Sequence, residues 1–126
     1  MIPIRFIQQA TADHYDIKVS DIKGPSKARV FAWPRHVAML LSRRHNRNKS
    51  FPEIARSFGN RDHTTIMGGC TATIERMDAE LEHDCHTITK VAAKLWEAAI
   101  AQREAELDRS AYNDFTAHQH TQEATQ

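Results

Sequence analysis

A chain of 126 residues, 40% hydrophobic and 26% charged, is sized for one small domain with a packed core and is not composed like a disordered one. It carries no apolar run near the ~20 residues of a membrane span, and no basic stretch followed by a long apolar one that would mark a secretory signal. Two cysteines, Cys70 and Cys85, make no disulfide framework and suit a reducing compartment. The formal charge of +1 conceals an asymmetry. Residues 1–77 hold 13 Lys/Arg against 6 Asp/Glu, a balance of +7, and residues 78–126 hold 4 against 10, a balance of −6. The basic part suits a polyanion such as nucleic acid. The acidic part would lie away from phosphates, serve another contact, or simply be solvated.

The apolar spacing reads as mostly helix, with little strand alternation. A first helix over about 3–15 places Phe6, Ile7, Ala10 and His14 near one face. Ile17, Val19 and Ile22 form a further short turn of helix, ended by Gly24-Pro25. Residues 23–33 then read as a basic loop with Lys23, Lys27 and Arg29, and Pro34 as the first turn of the next helix, which runs to about 46. Val37, Ala38, Leu40 and Leu41 make that helix's apolar side; Arg35, Arg43, Arg44 and Arg47 are its basic residues.

Ser50-Phe51-Pro52-Glu53 fits a capping box, in which hydroxyl and carboxylate reciprocally bond backbone N–H groups. The short helix it opens, about 51–58, points Phe51, Ile54, Ala55 and Phe58 inward. Gly59 suits the left-handed position past a helix end, and Asp62 suits the N-cap of the next helix. His63, Thr64 and Thr65 then fall in a first turn. This is the local grammar of a helix-turn-helix whose second helix enters a DNA groove by its N-terminus. That helix is expected over about 62–81, with Ile66, Cys70, Ile74, Met77 and Leu81 as its core stripe. Gly68 and Gly69 inside it cost roughly 1 kcal/mol each relative to Ala, which points to close approach of a neighbouring backbone or of DNA.

A last helix is expected from about 87 to 109, with Thr87 as a possible N-cap and Ile88, Val91, Ala92, Leu95, Trp96, Ala99 and Ile100 on a broad apolar face. Residues 110–126 are polar and expected to be disordered. Ile74, Leu81, Ile88 and Leu95 allow a heptad to be drawn, interrupted at Asp84, which leaves both intramolecular packing and a helix-mediated homodimer open. His83, Cys85 and His86 do not match a recognised zinc-ligand spacing, so no metal is expected. Asp62 and His63 have no placed nucleophile, so no catalytic residue is assigned and no enzyme is expected.

Four collinear motifs carry a resemblance over residues about 4–77. They are Tyr15-Asp16-Ile17-Lys18-Val19-Ser20-Asp21-Ile22, Ala32-Trp33-Pro34-Arg35-His36-Val37-Ala38-Met39, Phe51-Pro52-Glu53-Ile54, and Phe58-Gly59-Asn60-Arg61-Asp62-His63-Thr64-Thr65-Ile66. In this order they resemble the C-terminal DNA-binding domain of DnaA, the bacterial chromosomal replication initiator. The resemblance implies an all-α, Trp-repressor-like helix-turn-helix domain at residues 1–82. Residues 83–109 would add a long C-terminal helix that packs on it or mediates association, and 110–126 a tail. It also implies double-stranded DNA as partner, at DnaA-box-like nonamers, and a nucleoid-associated cytoplasmic protein of bacterial or phage origin. The roles that follow from the resemblance are base contacts by Asp62, His63, Thr64 and Thr65 in the major groove and by Lys27, with Arg29 nearby, in the minor groove. The resemblance also implies a phosphate contact by Arg35. By residue type His36, Arg43 and Lys49 are further phosphate candidates, with a solvated basic face as the alternative, and Arg61 in the turn could contact phosphate or brace a carboxylate.

The residue types support those roles. Asp62 can accept from a base amino group, His63 can donate or accept, and threonine methyls can pack on thymine. The chain departs from the family at Lys27, where Arg is usual, at Trp33, which replaces the first arginine of "RPR", and at Gly68, where His is frequent. Lys lacks the planar fork that suits a minor groove. No G-x-x-x-x-G-K-[ST] motif occurs, so neither nucleotide nor other cofactor is expected, and a small stand-alone regulator is the expectation. Two rivals remain: an interaction module working through the acidic C-terminal helix, and a non-specific nucleoid binder.

Overall fold

The structure, a computed structural model, describes the backbone of residues 1–124 and the side chains of residues 1–117. Six helices follow in order: α1 (Ile4–His14), α2 (Val19–Lys23), α3 (Arg29–His45), α4 (Phe51–Ser57), α5 (His63–Glu75) and α6 (Ala79–Ala124). The described residues form an all-α chain without strands. None of these helices is long and apolar enough to cross a membrane.

Residues 1–96 make one compact unit. Its central helix is α3, whose Ala38, Met39 and Leu40 join Ile22, Ile54, Ala55, Phe58, Ile66 and Cys70 in one apolar cluster. The opposite side of α3 gives Val37 and Leu41 to a second cluster, with Ile7 and Ala10 of α1 and Leu81, Cys85, Ile88 and Ala92 of α6. A 17-residue helix apolar on both sides serves two cores at once. Phe58, fully buried, closes α4 against the first core; truncating such a ring costs about 3–5 kcal/mol. Two buried polar side chains are tied to distant backbone: Gln8 Nε2 donates to the Ser57 carbonyl (2.7 Å) and Asn46 Nδ2 to the Ile2 carbonyl (2.8 Å).

Three boundaries differ from expectation. α3 begins at Arg29, not at Pro34, which lies inside the helix. The missing proline N–H leaves the carbonyl of Val30, an exposed residue, outside the ladder. The second correction is a break at 76–78 within the stretch read as one helix over 62–81. Asp78 caps α6 by accepting from the Leu81 N–H (2.8 Å), and Thr87, read as a cap, lies inside α6. Ile74, assigned to the core stripe, is 55% exposed because α5 ends one residue later. The third is the tail: the backbone expected to be disordered from 110 is helical as far as Ala124, and residues 125–126 lie outside the described part.

From Glu97 onward α6 forms a second unit. Residues 101–117 are all exposed, including Leu107, Tyr112 and Phe115.

Candidate nucleic-acid interface

The helix-turn-helix joint is built from local chemistry. The capping box of α4 is present: Ser50 Oγ accepts from the Glu53 N–H (3.3 Å), and Glu53 Oε1 accepts from the Ser50 N–H (3.3 Å). The Ser50 N–H, then the Ser50 hydroxyl donating to the same Oε1 (3.1 Å), hold the Glu53 carboxyl below its usual range. Gly59 takes the left-handed region at φ +76° and Asn60 follows at +56°. A Cβ on Gly59 would run into the Lys23 carbonyl oxygen, so the turn lies directly against the end of α2.

Asp62 then caps α5. Its Oδ1 accepts from the Thr64 N–H (3.0 Å) and the Thr64 hydroxyl (3.1 Å), and His63 Nδ1 lies 3.2 Å from it. The Thr64 backbone bond, then its hydroxyl, depress the Asp62 pKa, so the carboxylate is charged at neutral pH. Oδ2 has no bonding partner among the described residues. Asp62, His63, Thr64 and Thr65 are all exposed, around a helix N-terminus whose dipole favours negative charge. Their neighbours on the same side are Met67 and Gly68, both exposed. The i+3 and i+4 spacing from His63 and Thr64 places them there, and Met67 went unremarked in the sequence. Gly69 faces inward, where a Cβ would press on Met39 and His36 of α3, whereas Gly68 has open space. Close packing thus accounts for Gly69, and the fold leaves Gly68 unexplained.

The basic loop is shorter than expected, spanning residues 24–28 between α2 and α3, with Lys27 in it and Arg29 on the first turn of α3, both exposed. Its shape comes from two arginines: Arg35, expected on phosphate, and Arg61, for which the sequence leaves a phosphate or a carboxylate open. Arg35, 5% exposed, donates from Nε to the Ile22 carbonyl (2.7 Å), from Nη1 to Ser26 (2.9 Å) and from Nη2 to Asp21 (2.8 Å). Arg61 donates from Nη1 to the carbonyls of Lys23 (3.2 Å) and Phe58, and from Nη2 to that of Gly24. Both guanidinium groups are thus turned inward onto carbonyls, and burial lowers the pKa of each. A planar fork reaches several carbonyls at once, which a lysine cannot do.

The other expected phosphate contacts divide. Arg43 lies with its guanidinium carbon 4.6 Å from the Phe51 ring centre and donates to the Lys49 carbonyl (2.7 Å), so it braces the α3–α4 joint. Lys49 is partly exposed, while Arg44 and Arg47 are exposed. His36 is half-buried, and burial, then the charges of Arg35 and Arg61, push its pKa down. It is therefore a neutral imidazole at pH 7, not a cation. Trp33, the departure from "RPR", carries the Arg76 guanidinium at 4.0 Å over its ring, a cation–π pair that joins α3 to the C-cap of α5. Cys85 is buried between helices, while His83 and His86 are exposed.

Comparison with known proteins agrees with this geometry. A sequence model of the family described as "Bacterial dnaA protein helix-turn-helix" matches residues 4–72. The chromosomal replication initiator protein DnaA of Roseobacter denitrificans is 50% identical over 68 residues, which is 54% of this chain and 15% of that protein. The protein of the same name from Aromatoleum aromaticum is 42% identical over 92 residues, 71% of this chain and 19% of that protein. The chain thus spans less than a fifth of the length of these relatives. With the family model covering all of α1 to α4 and most of α5, the chain belongs to the bacterial DnaA helix-turn-helix family.

Proposed function

We propose that this protein is a sequence-specific double-stranded DNA-binding protein that recognises DnaA-box-like sites and regulates replication initiation or transcription. The observation that carries the reading is the exposed, cap-ordered quartet Asp62–Thr65 at the N-terminus of α5, on a family scaffold matched across α4, the turn and most of α5. The quartet enters a major groove. Asp62 Oδ2 accepts from a base amino group, His63 bonds a purine edge, and the threonine methyls pack on thymine. Lys27 and Arg29 reach the adjacent minor groove. Lys49 meets phosphate, giving salt-dependent affinity. Arg35, expected on phosphate, and Arg61, open between phosphate and a carboxylate, are both assigned instead to shaping the loop. The regulatory role rests on the relatives' names, which call them chromosomal replication initiator proteins. The place of action is the bacterial nucleoid.

The test is duplex selection with the purified chain, followed by affinity measurement at two salt concentrations. A selected nonamer family bound at least 100-fold better than random duplex supports the reading; equal binding of all duplexes sinks it. A second reading concerns residues 97–117, where Leu107, Tyr112 and Phe115 stand exposed on an acidic helix. They would serve association with a second copy of the chain, to be checked by sedimentation of the intact protein against Leu107→Glu.

A further inference from the structure

We infer that Arg61 sets the register between the two DNA-reading elements, holding the loop at 24–28 in fixed relation to the N-terminus of α5, and is a positioning residue for specificity. The inference rests on the DNA-reading proposed above and deepens it.

Arg61 is adjacent to Asp62, the cap of α5. Its backbone N–H donates to the Ala55 carbonyl (3.2 Å), which fixes it to α4. Its side chain joins three carbonyls: Phe58 in the turn, and Lys23 and Gly24 at the entry to the loop. One guanidinium therefore ties the residue before the recognition helix to a segment 37 positions earlier in the chain. Gly59 makes the same junction on the backbone side, since only a residue without Cβ lets the turn approach the Lys23 carbonyl. Arg35 holds the loop from below through Asp21, Ile22 and Ser26. Between them the two arginines bond five of the six carbonyls from Asp21 to Ser26. The segment that carries Lys27 thus has little freedom relative to α5. A base contact made by Lys27 and one made by His63 are then read at one spacing, because a misplacement of even 1 Å breaks a hydrogen bond to a base edge.

A phosphate contact and a register brace predict opposite signatures. Arg61→Lys keeps the charge and the alkyl stem but cannot bridge three carbonyls. Against the selected duplex and a panel with single base-pair changes, Arg61→Lys is expected to keep the salt slope of the native chain. Discrimination should fall about tenfold at the base pairs at the loop end and stay unchanged at those read by α5. The loss should vanish when Arg61→Lys is placed on a Lys27→Ala background. Near-native melting of each variant assures that folding is not the cause. As a check needing no variant, inserting one base pair between the two halves of the site should reduce native affinity to that of Lys27→Ala. Uniform weakening across all duplexes, with a salt slope smaller by about 0.9 in Arg61→Ala and full rescue by Arg61→Lys, would mark a phosphate contact and overturn the inference. Tolerance of the inserted base pair would overturn it as well. A native chain without any duplex preference overturns the DNA reading itself, and the inference with it.

Discussion

The two elements proposed to touch DNA are built in opposite ways. The N-terminus of α5 is self-contained: Asp62 caps it through Thr64, two residues away, and Gly59 and Asn60 supply the turn. The loop at 24–28 is held from outside, by Arg35 within α3 and Arg61 in a turn far along the chain. The first element keeps its shape by short-range hydrogen bonds, and the second only while the tertiary structure stands. Local capping is therefore enough to present a reading head. Setting two heads at a fixed distance needs side chains that reach across the fold.

The largest effect should come from breaking the outside support. Arg35→Ala leaves three carbonyls without a charged donor in a buried place. A loss of about 3 kcal/mol is expected, seen as a melting temperature lower by roughly 10 °C. A surface phosphate contact would leave melting unchanged. Next comes the reading head. His63→Ala and Thr64→Ala are each expected to weaken the selected duplex about tenfold to a hundredfold with native helicity, measured by fluorescence anisotropy and circular dichroism. Unaltered affinity in both would remove the major-groove role.

A smaller effect separates the two glycines of α5. Gly68 has open space around its Cβ position, whereas Gly69 is pressed by Met39 and His36. Gly68→Ala should raise stability by up to about 1 kcal/mol, and Gly69→Ala should lower it, in paired thermal melts. If Gly68→Ala also weakens duplex binding, DNA is the surface that needs the glycine there.

Acid should act least and selectively. Burial lowers the pKa of His36 and His45 in the folded protein. The unfolded chain then binds protons that the native one does not, so stability falls as pH drops below about 6.5 and continues to fall until the native imidazoles protonate. His45 also faces the Thr89 hydroxyl at 3.4 Å. Melting temperature should decline between pH 7.5 and 5.5, and His45→Gln should flatten that decline.

Much of the fold was legible because its signals are short-range. The spans of α1, α2 and α4, the capping box at Ser50 and Glu53, the left-handed Gly59 and the cap at Asp62 are each written within a few residues. The start of α3 was misread because Pro34 is a usual first-turn residue, while here the two cores flanking the helix outweigh the loss of one hydrogen bond. The break at 76–78 was misplaced because apolar spacing continues through it, and Ile74 counted as core although it faces solvent.

For the candidate site the division follows the same line. Sequence alone determined the helix-turn-helix joint and the placing of Asp62–Thr65 on its second helix, since caps, turns and helical periodicity depend on neighbours within about four residues; the family came from four collinear motifs, not from periodicity. Tertiary structure alone decided what the arginines do. The resemblance gave Arg35 a phosphate, and residue type left Arg61 between a phosphate and a carboxylate, whereas the folded chain turns both onto backbone carbonyls. A guanidinium finds its partner by distance in space, and among the carbonyls these two meet, those of Ile22 and Gly24 lie 13 and 37 residues away in the chain.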